Sequence, residues 1–200
     1  MIQTTDRSTE HDSDTDSERA TPTDALLTGS LVVGPLVYLA ADMTYAIKGW
    51  DDPAAATLHI LGAVLYGLVV LRVALWVPRW SWLRAWLLLT AVAGAIGNAA
   101  YGFDAIHQSL GDSRLVDQTG AAAIIKPLGL LFPISLALVA WGLQRLGWRI
   151  PAAMALLAAL AWPVAHIANI GPLAVAVNVI LLLALGSVAW QERAEPSAVD

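Results

Sequence analysis

The chain begins with a polar stretch and then alternates between long apolar segments and short polar breaks. Residues 1–24 are rich in Asp, Glu, Ser and Thr. Six apolar segments follow, and each has about the 20 residues that a helix needs to cross a bilayer. They cover residues 25–47, 54–77, 82–103, 119–143, 150–170 and 172–190. Because a spanning segment must satisfy its own backbone hydrogen bonds, the pattern predicts an all-α fold, a polytopic membrane bundle of six transmembrane helices.

The composition supports the membrane assignment. Hydrophobic residues make up 58% of the 200-residue chain and charged residues 14%, far from the composition of a water-soluble domain. The sequence predicts one transmembrane domain over residues 25–190. A disordered acidic tail is expected before it, over residues 1–24, and a short tail after it, over residues 191–200. Because residues 1–24 do not resemble a cleavable signal peptide, the first helix is expected to be retained.

The basic residues predict the orientation of the bundle, because Lys and Arg accumulate on the cytoplasmic side. The breaks that share a side with both termini hold most of them: Arg7, Arg19, Arg72, Arg79, Arg84, Arg145, Arg149 and Arg193. The opposite side holds only Lys48, Arg114 and Lys126. The expected location is therefore the cell membrane, with both termini cytoplasmic. Arg72 lies near the inner end of its span and is expected to extend to the interface.

The chain has no cysteine, which excludes disulfides, thiolate metal sites and iron–sulfur ligation. His, Asp, Glu, Tyr, Lys and Asn remain for chemistry. No residue string matches a catalytic or cofactor signature, so no cofactor is assigned and enzymatic activity is not favoured. The expected partners are the lipid bilayer, a small-molecule ligand, and a second copy or another membrane protein. No nucleic-acid partner is expected.

Polar residues within the spans give the functional clue, because ionisable side chains in a membrane tend to mark working sites. They concentrate in the outer half of the bundle. The candidate ligand-binding residues are Asp42, Tyr45, His59, Asn98, Tyr101, Asp104, Lys126, His166 and Asn169. Helical spacing places Tyr38, Asp42 and Tyr45 on one face. It places His166 and Asn169 on another, so both faces are expected to point into the bundle.

The preferred function is a polar pocket that opens outward and binds or transports a small ligand. One alternative is a non-catalytic structural or accessory subunit, in which the polar residues only join helices by hydrogen bonds. Another is a metal or haem enzyme ligated by His59 and His166, although no paired-histidine motif on one helix supports it. In the preferred reading Asp42, His59, Tyr101 and His166 share one pocket, and residues 105–118 lie over its mouth.

Lys126 lies in an apolar run, GAAAIIKPLGLLF, close to the outer boundary. A lysine in this position has to reach the interface, pair with an acid or lose its proton. The sequence leaves two outcomes open: extension to the interface, or a pair with Asp42 or Asp104 at the rim of the pocket.

The predicted topology can be tested with reporter fusions. A reporter after Arg149 or at the carboxyl end should read as cytoplasmic, and one inserted within residues 111–118 should read as external, because the arginine asymmetry places them so. A carboxyl end that reads as external would contradict the even number of spans and the outward-facing pocket with it.

Overall fold

A computed structural model describes residues 21–194 and contains, in that range, six long α-helices and no strand. The helices are α1 (Pro22–Lys48), α2 (Pro53–Trp76), α3 (Trp82–Ser109), α4 (Ile125–Arg145), α5 (Arg149–Ile167) and α6 (Gly171–Ala194). The all-α prediction is confirmed. The tails predicted over residues 1–20 and 195–200 lie outside the described residues. Helix α1 begins three residues before the predicted boundary, and α6 runs four residues past it, to Ala194.

Local sequence explains where several helices begin. The side chains of Thr21, Asp52 and Ser81 each accept a backbone N–H of the first helical turn, and so replace a partner that the helix itself lacks there. Pro22 and Pro53 follow the first two of these caps. Proline suits the first helical position because its missing N–H would have had no partner.

The six helices form a closed ring. Each packs against its neighbour in sequence, and α6 returns to pack against α1, while α2 also contacts α4. Thr21 and Ala194 therefore lie at the same end of the bundle, here called the terminal end. The connections between α1 and α2, α3 and α4, and α5 and α6 lie at the opposite end, called the pocket end.

The outer surface of the ring is apolar. All six helices are long and apolar enough to cross a membrane. Large hydrophobic side chains such as Leu61, Leu89, Leu160 and Leu183 are more than half exposed on it. A continuous apolar surface of this kind requires lipid around it. The chain is therefore a multi-pass membrane protein.

An aliphatic core fills the middle of the ring. Leu31, Val69, Val73, Leu181 and Leu185 are each at most 1% exposed. Polar side chains in the bundle gather on either side of this core, one group toward each end. The core therefore separates the polar side chains at the terminal end from those at the pocket end.

The polar group at the terminal end is an ion cluster around Arg72. Its guanidinium lies 2.9 Å from Asp24 on α1 and also hydrogen-bonds Glu192 on α6. Thr28 donates to the second oxygen of Glu192 at 3.0 Å. Arg72 thus extends to acids in the first turn of α1 and close to the end of α6. Its side chain is only 11% exposed, because its charge is paired between three helices.

The two acids of this cluster should differ in their contribution to stability. Each acid has two side-chain donors, Arg72 and a threonine, but Glu192 is 20% exposed whereas Asp24 is 45% exposed. We expect Glu192→Gln to lower the free energy of unfolding by about 2 kcal/mol and Asp24→Asn by less than about 1 kcal/mol. Thermal unfolding of the two variants in the same detergent measures the difference. Equal losses would mean that burial does not govern the strength of this cluster.

Candidate functional site

A cavity of about 280 Å³ opens at the pocket end. Helices α1 to α5 and the connections at this end all contribute to its wall. Seven of the nine candidate residues line it: Tyr45, His59, Asn98, Tyr101, Lys126, His166 and Asn169. The sequence therefore placed most of the polar wall on the correct helical faces.

Asp42 and Asp104 are the two candidates that do not line the cavity. Both are almost completely buried, at 0% and 1% exposure. Asp42 lies behind His166, and Asp104 lies under the connection between α3 and α4. Of the four residues expected to share the pocket, His59, Tyr101 and His166 line it, and Asp42 lies behind them.

Tyr38 is the centre of a hydrogen-bond network that joins α1, α2 and α3. Its hydroxyl oxygen accepts from the Asn98 amide and lies 2.8 Å from Nε2 of His59. His59 Nε2 also lies 3.3 Å from Oδ1 of Asn98, so this nitrogen can accept from the Tyr38 hydroxyl or donate to the Asn98 oxygen. The three side chains therefore form one closed network that is compatible with either tautomer of the imidazole.

A second network joins α1, α2, α5 and α6 around Asp42. The Asn178 amide donates to Asp42 Oδ2 at 2.6 Å and accepts from the Tyr66 hydroxyl at 3.3 Å. The other carboxyl oxygen lies 3.3 Å from His166 Nε2. His166 Nδ1 donates to the Trp162 carbonyl at 3.0 Å, so the contact with Asp42 requires one further proton, on either partner. The Asp42–His166 pair therefore carries no net charge.

Aromatic rings surround the polar groups of the cavity. His166 stacks on Trp162, with ring centroids 4.0 Å apart and an interplanar angle of 15°. Tyr45 stacks on Trp50 at 4.9 Å. Stacked pairs of this kind fix the orientation of their rings. The cavity therefore combines flat aromatic walls with polar groups.

Glycines make room for two of the rings. A Cβ added at Gly62 would lie 2.5 Å from the Tyr38 ring, and one at Gly129 would lie 2.3 Å from the Tyr101 ring. Real Cβ atoms do not approach so closely, so an alanine at either position would displace the tyrosine. At Gly129 the displaced ring belongs to the cavity wall.

Lys126 pairs with neither of the acids expected from the sequence. Its ammonium lies 3.3 Å from Asp117 in the connection between α3 and α4, and both side chains are more than half exposed. An exposed pair like this contributes at most about 1 kcal/mol. Both residues line the mouth of the cavity, so Lys126 is a rim residue. Of the two outcomes that the sequence left open, the pair with Asp42 or Asp104 is not formed.

The connection between α3 and α4 covers part of the cavity. Helix α3 continues to Ser109, and two short 3₁₀ turns follow, at Leu115–Asp117 and Gly120–Ile124. Asp104 accepts the Leu115 backbone N–H and lies 3.8 Å from Arg114, so it holds this connection against the bundle. Val116 is 5% exposed and lines the cavity.

Three side-chain nitrogens of residues that line the cavity are buried and have no hydrogen-bond partner among residues 21–194: Nδ1 of His59, Nε1 of Trp162 and Nε of Arg114. A buried donor without an acceptor costs about 1–3 kcal/mol. The indole and guanidinium nitrogens always carry a hydrogen, so at Trp162 and Arg114 the wall presents donors that require acceptors.

The sequence candidates did not include four polar residues of the wall: Trp162 on α5, and Trp50, Arg114 and Asp117 in the connections. Trp50 lies in the connection between α1 and α2, and its indole N–H donates to the Asn169 carbonyl at 3.1 Å. Arg114 lies in the connection between α3 and α4 and had served only to predict orientation. Both are outside the spans, where helical periodicity carries no information on direction.

The described residues do not favour a metal or bis-histidine haem site. In residues 21–194 no group of three or more His, Asp or Glu side chains is placed to hold a metal ion. The rings of His59 and His166 lie 6.2 Å apart and are inclined by 60°. Three of their four nitrogens already make hydrogen-bond contacts within the bundle.

Comparisons with known protein families, with curated proteins and with solved structures find no match. The fold defines the class, a multi-pass α-helical membrane protein, and any function has to be argued from the geometry of the cavity.

Asn169 has a backbone role that its position in a polar stripe did not reveal. Its φ of 54° is the left-handed conformation that often ends a helix, and asparagine tolerates it better than most residues. We expect Asn169→Ala to lower the free energy of unfolding by about 1 kcal/mol and Asn169→Gly to leave it nearly unchanged. Equal losses in chemical or thermal unfolding would instead assign the effect to the side-chain amide.

Proposed function

We propose that this protein binds a small molecule with hydrogen-bond acceptors in the cavity at the pocket end, and that this end faces outward from the cell membrane. The observation that carries the proposal is the buried indole N–H of Trp162, which lines the cavity and has no partner among the described residues. A buried donor without an acceptor is costly. A ligand carbonyl or similar oxygen would satisfy it.

The charges around the cavity favour a neutral ligand. At the mouth, Arg114 lies beside Asp104 and Lys126 beside Asp117, so each cation has a nearby anion. Deeper in, the Asp42–His166 pair is neutral by its hydrogen bonds. A carboxylate or phosphate in the cavity would find no uncompensated positive charge to pair with. A neutral carbonyl needs no such charge.

The aliphatic core favours binding over passage through the bundle. On α6 the polar residues Asn178 and Glu192 are separated by about 20 Å of helix, at about 1.5 Å per residue. Leu181, Leu185 and Val188 between them are at most 1% exposed. A ligand in the cavity thus has no polar route to the terminal end, and the site serves as a one-sided receptor in this conformation.

A structural role for the Asp42 network is the second candidate, and a specific observation favours it. Asp42, Asn178 and Tyr66 join three helices and do not line the cavity. These side chains serve as interhelical hydrogen bonds, typically worth less than about 1 kcal/mol each. The two roles divide by position: His59 and Trp162 face the ligand, and the Asp42 network holds the helices that carry them.

The proposal is tested by the small molecules that remain bound to the protein purified from its own membrane. Trp162→Phe keeps the ring but loses the N–H, and should weaken binding about tenfold. Gly129→Ala drives the Tyr101 ring out of its place and should reduce binding at least as much. Mass spectrometry of solvent extracts gives the amount of each compound per mole of protein.

Gly186→Ala is the matched control for Gly129→Ala, because nothing lies within 4 Å of a Cβ at Gly186. We expect it to retain the same compound as the wild type at the same ratio. The proposal is overturned if the wild type retains no compound, or if all four proteins retain the same amount. Either result leaves the structural role alone.

A further inference from the structure

The wall of the cavity is incomplete on the side of α4 and α5. Leu130 on α4 and Ile167 on α5 both line it, yet they are 46% and 71% exposed on the outer surface of the ring. An apolar side chain that lines a cavity and is also exposed to lipid marks an opening between the two. The cavity can therefore be reached from the hydrocarbon as well as from the water at the pocket end.

A second, apolar groove lies further along the same two helices. It has a volume of about 400 Å³ and is lined by Ala137, Ala140, Trp141 and Gln144 of α4 and by Ala152, Ala153 and Leu156 of α5. The alanines keep it open, and Ala153 and Leu156 are exposed to lipid. Measured along α4 from Leu130, the groove begins after about 10 Å, at Ala137, and ends after about 20 Å, at Gln144. The groove is therefore long enough to hold a hydrocarbon chain and is longer than a single ring.

The cavity itself is too small for a large ligand. Its 280 Å³ lies just below the range of about 300–1,000 Å³ in which whole ligands are usually enclosed. A compact ring fits, and a ring with a long substituent does not. Any chain attached to the ring has to leave the cavity, and the opening at Leu130 and Ile167 leads to the lipid side of α4 and α5 where the groove lies.

We propose that the ligand is a membrane quinone. Its planar ring lies in the cavity, where a carbonyl oxygen accepts from Trp162 Nε1, and its hydrocarbon chain leaves between α4 and α5 and lies in the groove. The inference rests on the proposed function and adds the class of ligand and its route of entry. No electron transfer is included, since binding alone requires neither an oxidant nor a reductant.

Three features of the site select this class over other lipids. The stacked walls formed by Trp162 with His166 and by Tyr45 with Trp50 suit a flat ring. The unpartnered indole N–H of Trp162 is a neutral donor, which suits a carbonyl oxygen. The balanced charges at the mouth offer nothing to a phosphate or carboxylate head group.

The experiment uses the full chain in detergent and two probes that share one ring. The probes are decylubiquinone and the same dimethoxy-methyl-benzoquinone without its chain. The shift of the unfolding temperature with probe concentration gives the apparent affinity. Trp162→Phe should weaken both probes about tenfold. Ala153→Phe, which fills the groove from an exposed position, should weaken decylubiquinone about tenfold and leave the ring alone unaffected.

Ala176→Phe is the matched control, because Ala176 is an exposed alanine on α6, outside the groove. It should bind both probes as the wild type does. Because detergent takes up the chain equally in every sample, the comparison between variants does not depend on it.

Two results would overturn the inference while the proposed function stands. If Ala153→Phe binds decylubiquinone as the wild type does, the groove does not hold the chain. If neither probe stabilises the wild type but another compound is retained on purification, the ligand is not a quinone. If no compound is retained at all, the proposed function falls as well.

Discussion

The surrounding lipid offers no hydrogen-bond partner, so each polar side chain on these helices has to find one inside the ring or at its ends. Tyr38 shows how strictly this operates. It is 0% exposed, yet its hydroxyl contacts both Asn98 and His59. Removing the hydroxyl would leave His59 and Asn98 with only their mutual contact at 3.3 Å, and the Asn98 amide nitrogen would lose its partner, at about 1–3 kcal/mol. The arrangement of α1, α2 and α3 depends on this contact.

The same constraint explains why polar residues are confined to two levels. Arg72, Asp24 and Glu192 compensate one another at the terminal end, where their partial exposure limits the cost of desolvation. Between this cluster and Asn178 the core is aliphatic, since a polar group there would have neither water nor a partner. From the terminal end to the pocket end, the closed ring thus has the ion cluster, the aliphatic core and the polar cavity.

The fold could be predicted from the sequence because it depends on quantities that a sequence carries directly. The lengths of the apolar segments determine the number of helices, and their period placed His59, Asn98 and His166 on inward faces. Their convergence on one cavity required only that the helices form a single ring.

The misplaced features depend on side-chain reach and on the path of the connections. Asp42 shares a face with Tyr45, but its short side chain meets His166 before it reaches the cavity. Lys126 finds Asp117 because the 3₁₀ turns bring that loop residue alongside it. Asn169 fits a polar stripe by spacing, whereas its backbone conformation explains the residue type. Periodicity contains none of this information.

The strongest distinction between scaffold and site is therefore how completely each donor is satisfied. Asn178 uses both its amide nitrogen and its oxygen, and both ring nitrogens of His166 have partners. These side chains have their hydrogen-bond partners without a ligand. Trp162 is equally buried, but its indole N–H has no partner at the cavity. Arg72 Nε also has no partner, yet its guanidinium is already paired with two acids, whereas the Trp162 side chain has no other polar atom. The ligand that we propose would supply the acceptor that Trp162 lacks.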